Sequence, residues 1–484
     1  MIRRDLEAAA ASSFDVIVIG GGIYGASMLQ EAARHGFSAC LCEAGDFGSV
    51  TSSNSLRILH GGLRYLQGLN LPRFYQSVAA RRGMARRFPH LVRPLECLMP
   101  LYGDGLKRPA VMRMALMLND MLSASRNSGV APALHLPPGE ILDAQATQRA
   151  FPNVRKDGLK GAARWRDYFM VSSERILMEL LRDACTRGAF ALNYVKVEDL
   201  IVEGQRVKGV LARDAITGNA LTLRGAKVIN CTGARVGDVA ENRGGDTKSM
   251  FRPSVAFNLM LEATLPSACA LAVAAPEPGA PVLFLIPQTE TVLAGTMHVA
   301  RPPGTSDAQP TREEIEQYLA WVRAAIPGFD VRMSNVRRVF AGLLPAAADH
   351  SVALLKTERF YDHGKLGGVQ GLYSVAGVKF TTTGDVAQRL MHFTGLVDTR
   401  AGIHPHDTAL ATSRATPVLI DARQFASDRP GVREALLATA REEAVFSLDD
   451  LVLRRSNWAT TEPDIESVRQ RVQELIGERN YSCA

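Results

Sequence analysis

The sequence predicts an α/β fold in which a parallel sheet carries an inserted antiparallel sheet and a small helical domain follows at the C-terminus. Near the N-terminus, a buried strand runs directly into a glycine-rich turn and a helix. Closely spaced strands in the middle of the chain are typical of antiparallel hairpins. The segment 432–479 is charged and helical in its periodicity. A chain of 484 residues has room for these several units.

The first unit has the order strand, glycine loop, helix, strand. Residues 15–19 form a continuous apolar run, as expected for a strand buried on both faces. Gly20, Gly22 and Gly25 follow at the spacing that allows a tight turn, close approach of a pyrophosphate and close helix packing. The next strand ends at Glu43, where a carboxylate can accept hydrogen bonds from ribose hydroxyls and disfavours a 2′-phosphate. This unit predicts a Rossmann-like dinucleotide-binding domain.

The later elements follow from apolar periodicity and turn signals. Two strands, 282–286 and 292–295, are close enough to form a hairpin, and Thr311 with Glu314 forms a capping box that begins a helix. Other strands are predicted at 207–211, 227–230, 254–261 and 372–376. We expect a discontinuous cofactor domain that comprises 1–105, 155–250 and 335–398. A substrate domain is expected at 106–154 and 251–334, and a C-terminal helical domain at 399–484.

Composition and charge narrow the function classes. The formal net charge of +7 suits anionic ligands or an acidic membrane surface, but the charge is too scattered for nucleic acid. The seven cysteines lack zinc spacing, and His404 and His406 lack further nearby ligands, so we expect no metal site. No apolar run approaches the ~20 residues of a spanning helix, and the N-terminus lacks the pattern of a secretory signal. We therefore expect a cytoplasmic protein, with contact to the inner face of the membrane left open.

One predicted helix, 108–122, bears on membrane contact. It is rich in methionine and has Arg108 and Arg113 at its start. Such a helix can lie in the membrane interface and contact lipid or quinone. It can equally be a packed core helix with adaptable methionines. The breadth of its apolar face favours the packed core helix.

The residues after the first unit carry a family resemblance. Residues 51–66 read Thr-Ser-Ser-Asn-Ser-Leu-Arg-Ile-Leu-His-Gly-Gly-Leu-Arg-Tyr-Leu. This stretch resembles, in order and spacing, the signature of the FAD-dependent glycerol-3-phosphate dehydrogenases, within the D-amino-acid oxidase superfamily. Later segments that are similar to family blocks, in the family order, are 89–94, 161–175, 230–233, 377–382 and 441–455.

The resemblance implies that the cofactor is FAD, bound non-covalently. Small hydroxyl residues and glycines in the signature let backbone amides reach the phosphates and the ring. The segment 230–233 corresponds to a second FAD contact, and 377–382 to the closing flavin motif. The expected FAD-binding residues are Gly20, Gly22, Gly25, Glu43, Thr51, Ser52, Ser53, Leu59, His60, Gly61, Gly62, Val197, Gly233, Gly377, Lys379, Phe380 and Thr381.

The substrate site departs from the family pattern. Leu344 stands where the family has a substrate-holding arginine, and leucine cannot make a bidentate contact to phosphate. His298 replaces an acidic residue, Gly384 replaces the arginine that ends the closing motif, and the histidine expected near Ala256 and Phe257 is absent. These departures predict a substrate that has diverged from glycerol 3-phosphate.

The implied reaction is hydride transfer from a carbon bearing a hydroxyl group to the flavin. Lys379 is expected to stabilise reduced flavin, and Arg64 to orient an oxygen-rich substrate. The base that takes the hydroxyl proton is open among His60, Tyr65 and His298. We favour His298 because it replaces an acid in a predicted hairpin. Substrate contacts are expected from Arg64, Tyr65, Arg359 and Lys379.

Three other functions remain as alternatives. The chain could be an authentic glycerol-3-phosphate dehydrogenase with a rearranged phosphate site. It could oxidise an amine or an amino acid, or it could be a flavoprotein without catalysis. The expected partner is a small-molecule substrate, and the electron acceptor is open among quinone, oxygen and another protein.

Overall fold

The structure is a computed structural model that describes residues 1–103, 105, 108–240, 250–277, 280–398 and 431–477. It confirms the predicted mixture of α and β elements. The strands are β1 (Ser13–Ile19), β2 (Ala39–Cys42), β3 (Ile58–Leu59), β4 (Val92–Leu101), β5 (Glu140–Leu142), β6 (Gly161–Met170), β7 (Phe190–Leu192), β8 (Val195–Glu203), β9 (Arg206–Asp214), β10 (Ala220–Asn230), β11 (Pro253–Glu262), β12 (Ala270–Val273), β13 (Leu283–Pro287), β14 (Thr291–Ala300), β15 (Val336–Pro345), β16 (Arg359–Asp362) and β17 (Leu372–Ala376). The α-helices are α1 (Leu6–Ala11), α2 (Ile23–Arg34), α3 (Leu63–Gln67), α4 (Leu71–Arg87), α5 (Pro109–Leu122), α6 (Ala144–Ala150), α7 (Ser173–Thr186), α8 (Arg312–Ala325), α9 (Thr383–Phe393), α10 (Val432–Glu442), α11 (Trp458–Thr461) and α12 (Ile465–Ile476).

The first sheet has the order β16-β17-β10-β1-β2-β7, and β9 joins β8 to β10. Strands β17, β10, β1, β2 and β7 are parallel. The carboxyl ends of parallel strands meet at one edge, where ligands bind in such sheets. The turns that begin at Gly20, Glu43, Cys231 and Gly377 therefore share that edge. The predicted strands 15–19 and 39–42 are confirmed as β1 and β2.

The second sheet has the order β15-β11-β14-β13-β12-β4-β6-β3, with β5 paired to β6. Its pairings are antiparallel except that between β4 and β12. The predicted hairpin is confirmed as β13 and β14, and the capping box of Thr311 and Glu314 is confirmed at the start of α8. Apolar residues of α8 pack into the core of this sheet, among them Ile315, Leu319 and Val322.

The second sheet recruits strands from outside the expected substrate domain. Strands β3, β4, β6 and β15 fall within the ranges that the sequence assigned to the cofactor domain, yet they hydrogen-bond in the second sheet. For example, β4 pairs with β6 along ten residues each, from Val92 with Met170 to Leu101 with Gly161. Sheet membership depends on long-range pairing, which leaves no local signal in the chain.

Helix α5 is not the packed core helix that the sequence favoured. Its buried residues are Met112 and Leu116, whereas Met114, Met117 and Met121 are 66–71% exposed. The apolar face is broader than the strip of neighbouring protein that covers it. The methionines on the other side therefore face solvent, and a patch of this kind commonly marks an interaction surface.

The described part of the C-terminal region is helical, as predicted. Helices α10, α11 and α12 enclose a small core of their own, which includes Leu436, Val452, Trp458 and Val472. A π-helical turn, Asp450–Arg454, lies between α10 and α11. His404 and His406 lie outside the described residues. In the part of the chain that the structure describes, no helix combines the length and apolar character needed to span a membrane.

Candidate active site

A cavity of about 860 Å³ is lined by residues of both sheets. This volume falls within the range of ligand pockets, roughly 300–1,000 Å³. One group of lining residues is formed by the turns at the edge of the first sheet, and we call it the glycine wall; it comprises Gly20, Gly22, Glu43, Ser52 and Gly233. The other group, which we call the lysine pocket, comprises His60, Tyr65, Thr296, His298, Leu344 and Lys379.

The glycine wall begins at the turn between β1 and α2. Gly20 has a φ of +102°, and a Cβ atom there would lie 2.8 Å from the carbonyl oxygen of Cys231. A Cβ atom at Gly25 would overlap the carbonyl oxygen of Gly20. Helix α2 starts at Ile23, whose amide donates to the Oγ of Ser52 over 3.0 Å. Backbone amides at a helix N-terminus, with room beside them, are suited to a pyrophosphate.

Glu43 is held at the end of β2 by backbone amides. Its Oε2 accepts a hydrogen bond from the amide of Gly21 (2.6 Å), and its Oε1 accepts one from Gly45 (2.8 Å). Burial raises the pKa of Glu43, although both hydrogen bonds oppose this shift. A carboxylate has about four acceptor positions, so the group retains capacity for ribose hydroxyls.

Residues from β10 and from segment 51–53 complete this wall. Asn230 holds the turn after β10, because its Oδ1 accepts from the hydroxyl of Thr232 (2.7 Å) and its Nδ2 donates to the carbonyl of Val236 (2.8 Å). Thr51 lies directly against Gly342 of the second sheet, where a Cβ atom would come within 2.8 Å of its side chain. The hydroxyl of Ser53 donates to the backbone carbonyl of Val50, and Ser53 does not line the cavity.

Lys379 places a cation in the lysine pocket. The Tyr24 hydroxyl is 3.2 Å from both the backbone amide and the carbonyl of Lys379, which fixes the segment after β17. The Nζ atom is buried, has no hydrogen-bond partner among the described residues, and lies 4.4 Å from the centre of the Tyr65 ring. A buried ammonium without a partner is costly, so this position suits an electron-rich or anionic ligand.

The turn at His60 is held by a carboxylate that the sequence analysis did not single out. The Oδ1 of Asp167 accepts from the amide of Gly61 (2.8 Å) and from Nη1 of Arg81 (2.5 Å), and its Oδ2 is 3.4 Å from Nδ1 of His60. Burial acts to raise the pKa of Asp167, but the hydrogen bond from His60 and the charge of Arg81 outweigh it, and the pKa falls to about 2. Asp167 lies in the segment 161–175, which resembles a family block. That resemblance is the feature of the sequence that could have identified Asp167 as a site residue.

His298 and Thr296 approach the cavity from β14. The hydroxyl of Thr296 donates to Oδ1 of Asn258 (2.7 Å), and Nδ2 of Asn258 donates to the carbonyl of Asn54 (2.9 Å). Burial, followed by the charge of Arg64, lowers the pKa of His298. Its Nδ1 atom is buried and has no hydrogen-bond partner among the described residues. Asn258 was missed because nothing in the local sequence marks it. Thr296 belongs to the same family-like segment as His298, 295–298, but was not singled out as a site residue.

The structure brings most, but not all, of the expected site residues to this cavity. Arg64 does not line it but is close enough to influence His298. Leu59 is buried in β3, behind the lining. Arg359 in β16 and Val197 in β8 are not brought to the cavity wall. The residues that do line it are Gly20, Gly22, Glu43, Thr51, Ser52, His60, Tyr65, Gly233, His298, Gly377, Lys379, Phe380 and Thr381, whereas Gly25, Gly61 and Gly62 shape the turns beside it.

The geometry fits an adenine dinucleotide that carries a reactive ring. The glycine wall offers amides for a pyrophosphate and a carboxylate for a ribose, in space that Cβ atoms would fill. The lysine pocket offers an unpartnered cation, which suits a flavin because reduced flavin carries negative charge. The residues present would therefore hold FAD along the cavity.

Curated relatives are similar in sequence to most of this chain. It is 29% identical over 401 residues to a glycerol-3-phosphate dehydrogenase of Synechocystis, which covers 78% of this chain and 69% of the relative. It is 26% identical over 356 residues to an alpha-glycerophosphate oxidase of Streptococcus pyogenes, which covers 72% of this chain and 57% of that protein. The match thus spans between about half and two thirds of the length of these relatives.

Among solved structures, the chain is similar to a glycerol-3-phosphate dehydrogenase of Bacillus halodurans complexed with FAD. The TM-score is 0.72 at 21% identity, with 99% of this chain and 93% of that chain covered, so the likeness extends to the whole fold. The family described as FAD dependent oxidoreductase matches residues 15–387. The family match gives FAD as the cofactor, the residues of the cavity fit it, and the chain belongs to the FAD dependent oxidoreductase family.

Proposed function

We propose that this enzyme holds FAD non-covalently and oxidises a C–OH group of a small molecule other than glycerol 3-phosphate. One observation carries the proposal: the lysine pocket combines the buried cation of Lys379 with the apolar side chain of Leu344. Bound FAD would supply the acceptor for a hydride. The curated relatives named for glycerol 3-phosphate support oxidation at a hydroxyl carbon.

The residues of the lysine pocket divide into orienting and proton-accepting groups. Lys379 is a cation that can hold substrate oxygens, and Tyr65 can donate or accept one hydrogen bond. Arg64 lies outside the cavity lining and acts on the pocket through its charge near His298. His298 is suited to accept the hydroxyl proton, because its lowered pKa keeps it neutral at neutral pH. His60 is the second candidate, since it lines the same cavity and its Nδ1 lies 3.4 Å from Oδ2 of Asp167.

Leu344 argues against a phosphate clamp. A desolvated phosphate needs several charged donors, and each hydrogen bond to a charged group contributes roughly 1.5–3 kcal/mol. Leu344 presents a hydrocarbon surface to the cavity where the resemblance implies an arginine. Arg359, the other expected substrate arginine, is not part of the cavity wall. The remaining cations suit a hydroxy acid or a polyol better than a phosphate ester.

Amine oxidation is disfavoured by the charges of the same pocket. A protonated amine is stabilised by a nearby carboxylate. Among the described residues that line the cavity, the carboxylates are Glu43, in the glycine wall, and Asp238, which is paired with Arg235. Asp167, behind His60, is already engaged by Arg81. The cation of Lys379 would repel an ammonium group.

Anaerobic reduction of the bound flavin tests this proposal. Purified enzyme is mixed with polyols, 2-hydroxy acids, glycerol 3-phosphate and amino acids, and bleaching of the flavin absorbance is followed. We expect at least one polyol or hydroxy acid to reduce the flavin fully, and millimolar glycerol 3-phosphate to reduce it poorly. Full reduction by glycerol 3-phosphate would show that the protein is an authentic glycerol-3-phosphate dehydrogenase and would overturn the proposal. Reduction by amino acids alone would favour amine oxidation. If no donor bleaches the flavin, the protein is a non-catalytic flavoprotein.

We also propose that helix α5 contacts an acidic membrane surface, where a quinone could accept the electrons. Met114, Met117 and Met121 are exposed, and so are Arg108 at the N-cap of this helix and Arg113 within it. An apolar face with basic residues is typical of helices that lie in the membrane interface.

Flotation with vesicles tests the membrane contact. Vesicles that contain phosphatidylglycerol should carry the protein upward, whereas phosphatidylcholine vesicles should not. Replacing the three methionines with glutamine should abolish flotation. Ile216→Gln removes one exposed apolar residue from the turn after β9 and should have no effect. A wild-type protein that stays at the bottom of the gradient with both lipids would end this proposal.

A further inference from the structure

The loop after Glu43 is held by a buried group of charges. The carboxylate of Asp46 is 2% exposed and accepts hydrogen bonds from four donors. Arg455 makes a bidentate contact, with Nη1 2.7 Å from Oδ2 and Nη2 2.8 Å from Oδ1. Nε of Arg454 donates to Oδ2 (2.5 Å), and Nδ2 of Asn193 donates to Oδ1 (2.9 Å). Every acceptor position of Asp46 is therefore used.

The two arginines belong to the C-terminal helices and are themselves fixed. Arg454 donates from Nη2 to Oδ1 of Asp450 (2.6 Å), which also accepts from the hydroxyl of Tyr194 (2.6 Å). Arg455 donates from Nη2 to the carbonyl of Glu443 (3.0 Å), and its side chain is fully buried. The C-terminal region thus inserts two guanidinium groups into the edge of the first sheet.

Asp46 lies between two points at which the loop meets the cofactor cavity. On one side, the amide of Gly45 donates to Oε1 of Glu43 (2.8 Å), the carboxylate of the glycine wall. On the other side, the amide of Gly48 donates to the carbonyl of Gly21 in the glycine loop (3.0 Å). A shift of Asp46 would move both points, because Glu43, Asp46 and Gly48 lie within one segment of six residues, 43–48.

We propose that Arg455, assisted by Arg454, positions the Glu43 loop for the adenosine ribose of FAD, so that the C-terminal helices control how tightly the cofactor is held. Arg455 touches neither the cavity nor the cofactor site, and it acts through Asp46 and Glu43.

Chemistry favours a positioning role over simple stabilisation. Burying an ion pair costs desolvation energy, and apolar residues of similar volume often stabilise a fold as well or better. A bidentate contact between guanidinium and carboxylate adds a fixed geometry that apolar packing lacks. The Arg455 contact is made to the loop whose geometry the cofactor requires.

A double-mutant cycle on FAD affinity tests the proposal. FAD is titrated into apoprotein, and the Kd is measured from flavin fluorescence for wild type, Arg455→Met, Glu43→Gln and the double variant. We expect each single substitution to weaken FAD binding about tenfold, and the double variant to lose clearly less than the product of the two factors. Losses that multiply, or an unchanged Kd for Arg455→Met, would overturn the proposal.

A matched substitution separates positioning from general loss of stability. Arg182 is 2% exposed, and its Nη1 donates to Oε1 of Glu443 over 2.8 Å in the same charged interface. Arg182→Met and Arg455→Met should both lower the melting temperature of the apoprotein, but only Arg455→Met should raise the Kd for FAD. Equal weakening by both would refute a role specific to the loop. If Arg455→Met does not fold, the cycle is run with Arg455→Lys and Arg182→Lys, with the same expectations and the same refuting results.

Discussion

Lys379 has a buried amino group and no hydrogen-bond partner among the described residues, although Tyr65 lies beneath it. The amino group lies over the Tyr65 ring at the cavity wall, where it can contact an anionic or electron-rich ligand. A cation beside a flavin favours the reduced, negatively charged form over the oxidised form. The role proposed for Lys379 is therefore measurable in the flavin itself.

Replacing Lys379 with methionine should lower the two-electron reduction potential of the bound flavin by roughly 30–60 mV, since 30 mV corresponds to about 1.4 kcal/mol. Lys379→Arg keeps the charge and should retain most of the wild-type potential. The measurement is equilibration of the flavin with reference dyes under anaerobic conditions. An unchanged potential in Lys379→Met would show that the cation does not act on the ring.

The pKa of His298 lies below the ordinary value of 6.5, because burial and the charge of Arg64 disfavour the protonated imidazole. If neutral His298 accepts the substrate proton, flavin reduction is fast above this pKa and slows as the pH falls through it. We expect the acid limb of the rate profile to have its midpoint below pH 6.5.

His298→Asn should slow flavin reduction by roughly 10²–10⁴-fold and remove this acid limb. The measurement is stopped-flow reduction between about pH 5 and 9 with a donor found in the substrate panel. His60→Asn is the comparison: should that variant lose the acid limb while His298→Asn keeps it, His60 is the base and our assignment is wrong.

At the scale of elements, the unit β1-α2-β2 was predictable because its signals are local. Apolar runs, glycine spacing and a terminal carboxylate lie within thirty residues of one another. The membership of β4 and β6 in the second sheet was not predictable, because the apolar pattern of a strand does not indicate which other strand it pairs with. The solvent-facing side of α5 was misjudged for a related reason: a broad apolar face does not reveal how much of it neighbouring elements cover.

The same distinction applies to the site. Glycines and hydroxyl residues form contiguous motifs, whereas Asp167 meets His60 across more than a hundred residues. Asn258 and Asn54, and Asp46 and Arg455, are brought together only by the tertiary structure. A buried carboxylate or amide of this kind has no characteristic neighbours in the sequence. Buried polar residues that position other site residues are therefore the hardest to predict from the sequence.

The glycine loop offers a test at the scale of one element. Gly25→Ala places a methyl group where it overlaps the carbonyl oxygen of Gly20, so the loop must open and the purified protein should lose its flavin. Gly83→Ala lies within α4, where a Cβ atom meets nothing within 4 Å, and should retain FAD and gain roughly 0.5–1 kcal/mol of stability. The flavin-to-protein absorbance ratio measures both. Full flavin content in Gly25→Ala would contradict the described turn.

At the scale of the whole molecule, the two sheets contribute different chemistry to one cavity. The first sheet supplies the amides and the carboxylate of the glycine wall. The second supplies Thr296, His298 and Leu344. The C-terminal helices hold the Glu43 loop from outside. This division explains how the cofactor wall can keep the family pattern while the substrate wall departs from it.

Restoring an arginine at Leu344 tests the divergence of the substrate wall most directly. The measurement is the anaerobic rate of flavin reduction by glycerol 3-phosphate in wild type, Leu344→Arg and the size-matched Leu344→Met. A charge-assisted hydrogen bond to phosphate should accelerate Leu344→Arg at least about tenfold over wild type, while Leu344→Met remains near wild type. Rapid and complete reduction of the wild-type flavin, with no gain in Leu344→Arg, would contradict the account.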